Sequence, residues 1–138
     1  MNPIYLDLHI HTSEDPNNLN SDYNVELLVE KIKEFANTSD ILISITDHNT
    51  INKTAYLKAK SLGINILAGA ELHIKNYQSC PPYHCHIFFN IENINEDCLK
   101  DLNDKLDELY PDKVVTKDSE NTPTIETIIN TFDSYEFI

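Results

Sequence analysis

The sequence predicts an α/β fold, with a parallel sheet or barrel built from strand–helix–strand units. Three observations carry this. Apolar runs of strand length recur at residues 4–8, 41–45 and 64–68. Between them lie stretches with apolar residues at helical spacing. The connections are short, and no internal repeat or low-complexity linker interrupts the series. Alternation of that kind gives parallel strands joined by right-handed crossovers. The expectation is a single domain over residues 1–138.

Residues 4–8, Ile-Tyr-Leu-Asp-Leu, read as a buried first strand with His9 and His11 at its exit. Strand side chains alternate, so Asp7, His9 and His11 share a face. Residues 12–23 are rich in Asn, Asp and Ser and form a loop, with Asp15 just before Pro16. Asn24 is a candidate N-cap for a first helix. Its inward stripe is Val25, Leu28, Ile32 and Phe35, while Glu26, Glu30, Lys33 and Glu34 face solvent. Residues 41–45 show little polar alternation, as a strand covered on both faces should. They run into Thr46-Asp47-His48-Asn49. A second helix starts near Ile51, turns Ile51, Ala55, Ala59 and Leu62 inward, and stops at Gly63. Residues 64–68 form the third strand and end in Gly69-Ala70-Glu71. After Pro81 and Pro82, residues 84–89 form a fourth. A third helix covers about residues 95–110, with Cys98, Leu102, Leu106 and Leu109 inward. Residues 114–123 are loop, 124–132 are helical, and 136–138 open another strand.

Hydrophobic residues make up 41% of the 138 positions and charged residues 24%, which suits a globular core. The net charge is −13, and all ten basic residues are lysines. No broad basic footprint for nucleic acid and no polybasic membrane patch is available. Bound divalent cations would reverse that field locally. The N-terminus lacks a basic n-region and an apolar stretch of signal-peptide length, and no run approaches a transmembrane span. Cys80, Cys85 and Cys98 are odd in number and make no C-x-x-C pair. They read as free thiols in a reducing cytoplasm, so the expected location is cytoplasmic. A ligand role for Cys85, which sits between two histidines, is the alternative.

The chemistry-bearing residues are placed with a bias. His9 and His11, Asp47 and His48, and Glu71 fall at or just past predicted strand ends, and His86 lies inside its strand. None of the six histidines lies on a predicted helix. In parallel α/β folds the C-terminal strand ends share one face, where sites are built. Two imidazoles two residues apart on a strand can chelate one divalent ion, and a neighbouring acid can orient a ring. Imidazole with carboxylate is a donor set for zinc, manganese or iron. A carboxylate can also bridge two ions about 3.5–4 Å apart. A single H-x-H is as compatible with two ordinary loop residues; the ordered series argues for a site.

These residues resemble a known family. Asp7-Leu8-His9-Ile10-His11-Thr12, Ile45-Thr46-Asp47-His48-Asn49, Gly69-Ala70-Glu71 and His86-Ile87-Phe88-Phe89 are similar to the first four motifs of the PHP (polymerase and histidinol phosphatase) domain. They occur in order across residues 6–89. The resemblance implies the N-terminal part of a distorted (β/α)7 barrel with two or three divalent ions (Zn, Mn or Fe) that hydrolyses phosphate esters. It implies His9 and His11 on a first ion, Glu71 bridging the first and second, and His86 on the second. His48 would bind the third, with Asp15 as its partner. Glu71, His48 and Asp47 would then govern catalysis, with Asp7 and Asp47 fixing ring tautomers. His84 shares parity with His86 and is the alternative to it. His73 reads as a partly exposed loop histidine, with a ligand or substrate contact as the alternative.

The family draws further ligands from later in its chain, a histidine and an Asp-x-His pair, and this sequence has no histidine after His86. A (β/α) barrel also needs about 200–250 residues. The expectation is therefore the N-terminal piece of a longer protein, with a reduced domain as the alternative. An exposed apolar face is expected, covered by the rest of a longer chain or by a second copy in a homo-oligomer. The expected function is a metal-dependent phosphoesterase acting on a phosphorylated substrate. Two readings compete with it: a non-catalytic PHP module of a larger nucleic-acid or NTPase protein, and an amidohydrolase, which also opens with H-x-H. The Thr-Asp-His and Gly-x-Glu motifs argue against the last.

Overall fold

The structure, a computed structural model, describes residues 4–138. Its elements are β1 (Tyr5–Ile10), α1 (Val25–Ala36), β2 (Ile41–Ile45), α2 (Lys53–Ser61), β3 (Ala68–Ile74), β4 (Tyr83–Phe89), α3 (Glu96–Leu109) and α4 (Ile125–Thr131). The described strands form two two-stranded sheets, β1–β2 and β3–β4, and do not close into a barrel.

Each helix starts on a polar cap that the sequence supplies. Asn24, Asn52, Asn95 and Thr124 accept the backbone N–H of Leu27, Ala55, Cys98 and Thr127, satisfying donors with no partner inside the helix. After α2 the chain turns at Gly63, whose φ of 70° suits a residue without Cβ. The inward faces differ in detail from the expected stripes. In α1 the buried arc runs Val25, Val29, Ile32, and Phe35, in the last turn, is 84% exposed. In α2, Tyr56 is buried and Leu62 is not; in α3, Leu99 replaces Cys98 at the core.

β1 and β2 pair in parallel, as expected, with Tyr5 opposite Ile41 and a register shift between Asp7 and Ile10. The second sheet corrects the expectation of parallel strands throughout. β3 and β4 are antiparallel, with Ala68 opposite Phe89 and Ile74 opposite Tyr83. The reason lies in the connection: a parallel crossover needs a dozen or more residues, usually helical, and residues 75–82 form only a short turn-rich loop ending in Pro81 and Pro82. The third strand also begins later than predicted. Ile66 makes a single parallel bridge to Ile43, and β3 starts at Ala68, so Glu71 and His73 lie inside the strand. A second bridge, His48 to Glu71, ties the segment after β2 to β3.

Tyr56 fastens this junction. Its hydroxyl donates to the Ile45 carbonyl at 2.6 Å and accepts the Gly69 N–H at 3.0 Å. Gly69 has no room for a side chain, since a Cβ would lie 2.8 Å from both the Ile87 carbonyl oxygen and Ser44 Oγ. The core gathers Ile43, Ile45, Leu72, Ile74, Ile87, Phe89, Leu99, Leu102 and Phe132. At the chain end, Phe88 and Ile138 exchange backbone hydrogen bonds and Phe137 bridges Phe89 antiparallel, so residues 136–138 extend β4's sheet. Apolar side chains do reach solvent, including Leu6 on β1 at 59% and Ile129 on α4 at 51%. No helix among the described residues is long and apolar enough to cross a membrane.

Candidate metal centre

The β3–β4 ladder builds half the site. Glu71 stands opposite His86 and His73 opposite His84. Side-chain alternation puts these four on one face, while Ala68, Ala70, Leu72, Ile74, Ile87 and Phe89 fill the core on the other. The other half comes from the first sheet. β1 delivers His9 and His11 at its end, and the bridge to Glu71 brings in His48. All six histidines of the chain therefore meet in one continuous set of ring contacts, from His86 through His9, His11 and His48 to His73 and His84.

Glu71 is at the centre and only 3% exposed. Its Oε2 lies 2.7 Å from His11 Nε2, 3.3 Å from His48 Nδ1 and 3.5 Å from His9 Nε2. Its Oε1 lies 2.9 Å from His84 Nδ1 and 3.6 Å from His86 Nε2. The contacts are close, yet Glu71 Oε2, His48 Nδ1 and His86 Nε2 are buried without a hydrogen-bond partner. Buried polar atoms are normally paired, because an unpaired one costs about 1–3 kcal/mol. All three are lone-pair donors at the Glu71 carboxylate, His48 Nδ1 on the Oε2 side and His86 Nε2 on the Oε1 side.

The electrostatics point the same way. Burial holds the His48 and His86 imidazoles below their ordinary pKa, and burial together with the neighbouring His84 and His48 takes His73 to about 4. Burial alone would raise the Glu71 carboxyl; the combined field of His48, His84, His11 and His9, when protonated, more than offsets it and lowers the pKa. A divalent cation among the rings would supply the same compensation without protonating them. The donor set, mixed imidazole and carboxylate, suits such an ion. Among the described residues, three groups of three have ligand atoms all within 4.8 Å of one another: His9 with His11 and Glu71, His11 with Glu14 and His48, and His48 with His73 and His84.

Several residues occupy other positions than the sequence reading gave them. Asp47 is fully buried and turns away from the rings: it accepts Thr12 N–H and Oγ1–H, both at 2.7 Å, and Ser13 N–H at 3.2 Å. It fixes the loop that follows His11 instead of a ring tautomer, because consecutive extended residues point to opposite sides and His48 takes the site side. Among the described residues, Asp7 accepts the His9 backbone N–H, at 3.3 Å, and no ring nitrogen. Asp15 Oδ1 accepts the Asn17 N–H at 3.0 Å, and Asp15 lines the cleft that His48 also lines. Its neighbour Glu14 reaches His11 Nδ1 at 3.6 Å and His48 Nε2 at 3.7 Å, a role the sequence reading missed. The only available signal was a second acid in the same loop. His73 is a strand residue, half-buried, and not a loop histidine. His84 approaches Glu71 more closely than His86 does. Cys85 points away from the centre, on the core-facing side of β4, and burial raises its thiol pKa.

No family model matches the chain, and no curated protein matches it in sequence. Among solved structures, the chain is similar to a proposed metal-dependent phosphoesterase from Bifidobacterium adolescentis, with 14% identity and a TM-score of 0.42. The similarity covers 78% of this chain and 33% of that one, so the chain spans about a third of that protein's length.

Proposed function

We propose that this chain carries the metal-holding part of a metal-dependent phosphoesterase of the polymerase and histidinol phosphatase kind. The observation that carries the reading is the buried Glu71 carboxylate ringed by five imidazoles, with Glu71 Oε2, His48 Nδ1 and His86 Nε2 left without partners. The ordered motifs at residues 9–11, 46–48, 69–71 and 86 supply the reaction class. On this reading the α/β array belongs to the N-terminal part of a distorted (β/α)7 barrel, and further ligands come from outside these residues.

His9, His11 and Glu71 would hold one ion, Glu71 and His86 a second, and His48 with Glu14 a third, of zinc, manganese or iron. When bound, such ions offset charge on a phosphoryl group and make water acidic enough to attack phosphorus near neutral pH. Glu71 contributes a buried negative charge among the rings, and its two oxygens face different sets of rings. Asp47 contributes by fixing the backbone after His11, so that ring does not have to be ordered when an ion arrives. No side chain acts as nucleophile.

Metal analysis of the purified protein, with hydrolysis of p-nitrophenyl phosphate before and after chelation, tests the reading. Bound divalent metal and activity restored by it are expected. Protein that takes up no Zn, Mn or Fe from solution would overturn it.

A further inference from the structure

His84 also touches Glu71, but His73 lies outside the Glu71-centred groups, and the geometry of this pair has its own logic. Their Nε2 atoms face each other at 3.0 Å, much as those of His9 and His11 do at 3.1 Å. Each ring is held by its other nitrogen. His84 turns Nδ1 to Glu71 Oε1 at 2.9 Å. His73 turns Nδ1 to the Asn49 amide, 3.0 Å from Nδ2 and 3.3 Å from Oδ1.

Asn49 is built to hold that ring. It is fully buried and left-handed, at φ 57°, in the turn after His48. Its Oδ1 accepts the His73 backbone N–H at 2.9 Å and its Nδ2 donates to the Lys113 carbonyl at 2.7 Å, which fixes which end of the amide is which. Both a donor and an acceptor therefore sit beside His73 Nδ1. Without an ion, Asn49 Nδ2–H donates to Nδ1, and His73 Nε2–H donates to His84 Nε2. With the proton moved to Nδ1, Asn49 Oδ1 accepts it and both Nε2 lone pairs are open. No proton is gained or lost overall. An asparagine partner serves either tautomer, which few other side chains in this position would do. His48 completes the set: His48, His73 and His84 each offer a ring nitrogen within 4.8 Å of the others. A cleft of about 490 Å³ opens beside them.

We infer that His73 and His84 complete the ion position of His48, set by Asn49, as a divalent cation site that is separable from the ions held by His9, His11 and Glu71. The donors are imidazoles without thiolate, which selects zinc and neighbouring transition ions such as Co²⁺ and Ni²⁺ over Mg²⁺ or Ca²⁺.

The test is calorimetric titration of the chelated protein with ZnCl₂, with bound metal counted after desalting, for the wild type, His73→Gln, His84→Gln and His9→Gln. Circular dichroism checks that each is folded, and His84→Gln, at a side chain 51% exposed, guards against a fold defect at His73. Loss of one zinc equivalent in both His73→Gln and His84→Gln, with the remaining equivalents bound as in wild type in His73→Gln, is the expected result. His9→Gln should keep the equivalent that those two lose. Unchanged stoichiometry and affinity in both variants overturns the site while leaving the Glu71-centred reading in place. A wild type that binds no zinc overturns both.

Discussion

Glu71→Gln separates a metal centre from a merely buried acid. The substitution keeps size and shape and removes the only buried negative charge among the rings. In the metal-free protein it should cost little, because Glu71 Oε2 makes no hydrogen bond that the amide would lose. The change should stay within about 1 kcal/mol, the size of one ordinary hydrogen bond. With metal the outcome differs. An ion present at 100 times its Kd stabilises the folded state by about 2.7 kcal/mol. Unfolding entropy of about 2.1 cal/mol/K per residue over 138 residues converts this to about 9 °C in Tm. Wild-type protein should therefore melt about 9 °C higher for each ion bound at that excess than with chelator, and Glu71→Gln should lose the part of the shift that comes from the ions on its carboxylate. Differential scanning fluorimetry with and without chelator reads both quantities. A variant that keeps the full metal-dependent shift would refute the central role given to this carboxylate, and with it the bridging of two ions.

Asp47→Ala removes three hydrogen bonds that hold residues 12 and 13. It should destabilise the protein by about 2–3 kcal/mol in urea unfolding and weaken metal binding about 10–100-fold in titrations; wild-type affinity would show that His11 does not depend on this loop. Glu14→Gln should lower metal occupancy, whereas Asp15→Asn should leave it unchanged, and the opposite order by elemental analysis would restore Asp15 as the ligand. Burial pushes the Tyr56 pKa up to about 12 from 10. The unfolded chain then loses this proton first, so stability from Tyr56 is fully present below about pH 10 and is lost as pH rises to about 12, by about 3 kcal/mol. Tyr56→Phe should be less stable at neutral pH, for want of the bonds to Ile45 and Gly69, and should show a shallower loss of stability above pH 10.

Local signals carried much of this structure, and pairing signals carried less. Asn24, Asn95 and Thr124 sit where a cap is needed, and caps depend on a few adjacent residues. The run of β-branched residues at 41–45 became β2 with its bounds intact. The antiparallel partner of β3 was legible only by subtraction, from the missing helix between residues 74 and 83, and the alternation rule favoured a parallel sheet instead. Within the site, the histidines and Glu71 stood out because they follow apolar runs. Asp47 did too, but whether a side chain turns to the rings or to the next loop depends on one residue of alternation at a strand end. Glu14 was invisible for another reason: a flexible acid in a polar loop reaches its partners through side-chain length and the path of the loop, neither of which has a sequence period.

The hairpin has a consequence for how the centre can tolerate change. Glu71 with His86, and His73 with His84, are two neighbouring rungs of one ladder. The spacing of those rungs is not set by the histidines. It is set on the reverse side, where Ala68, Ala70, Leu72 and Ile74 must stay packed with Ile87 and Phe89. Slipping the strands by one residue would carry the apolar set to the polar side, so the core locks the register against it. The loop at residues 75–82 bears none of this load. Residues added to or removed from its tip would be absorbed there, and the four donors would keep their distances. Positional accuracy in this half of the centre is thus inherited from hydrophobic packing on the opposite surface of the same two strands.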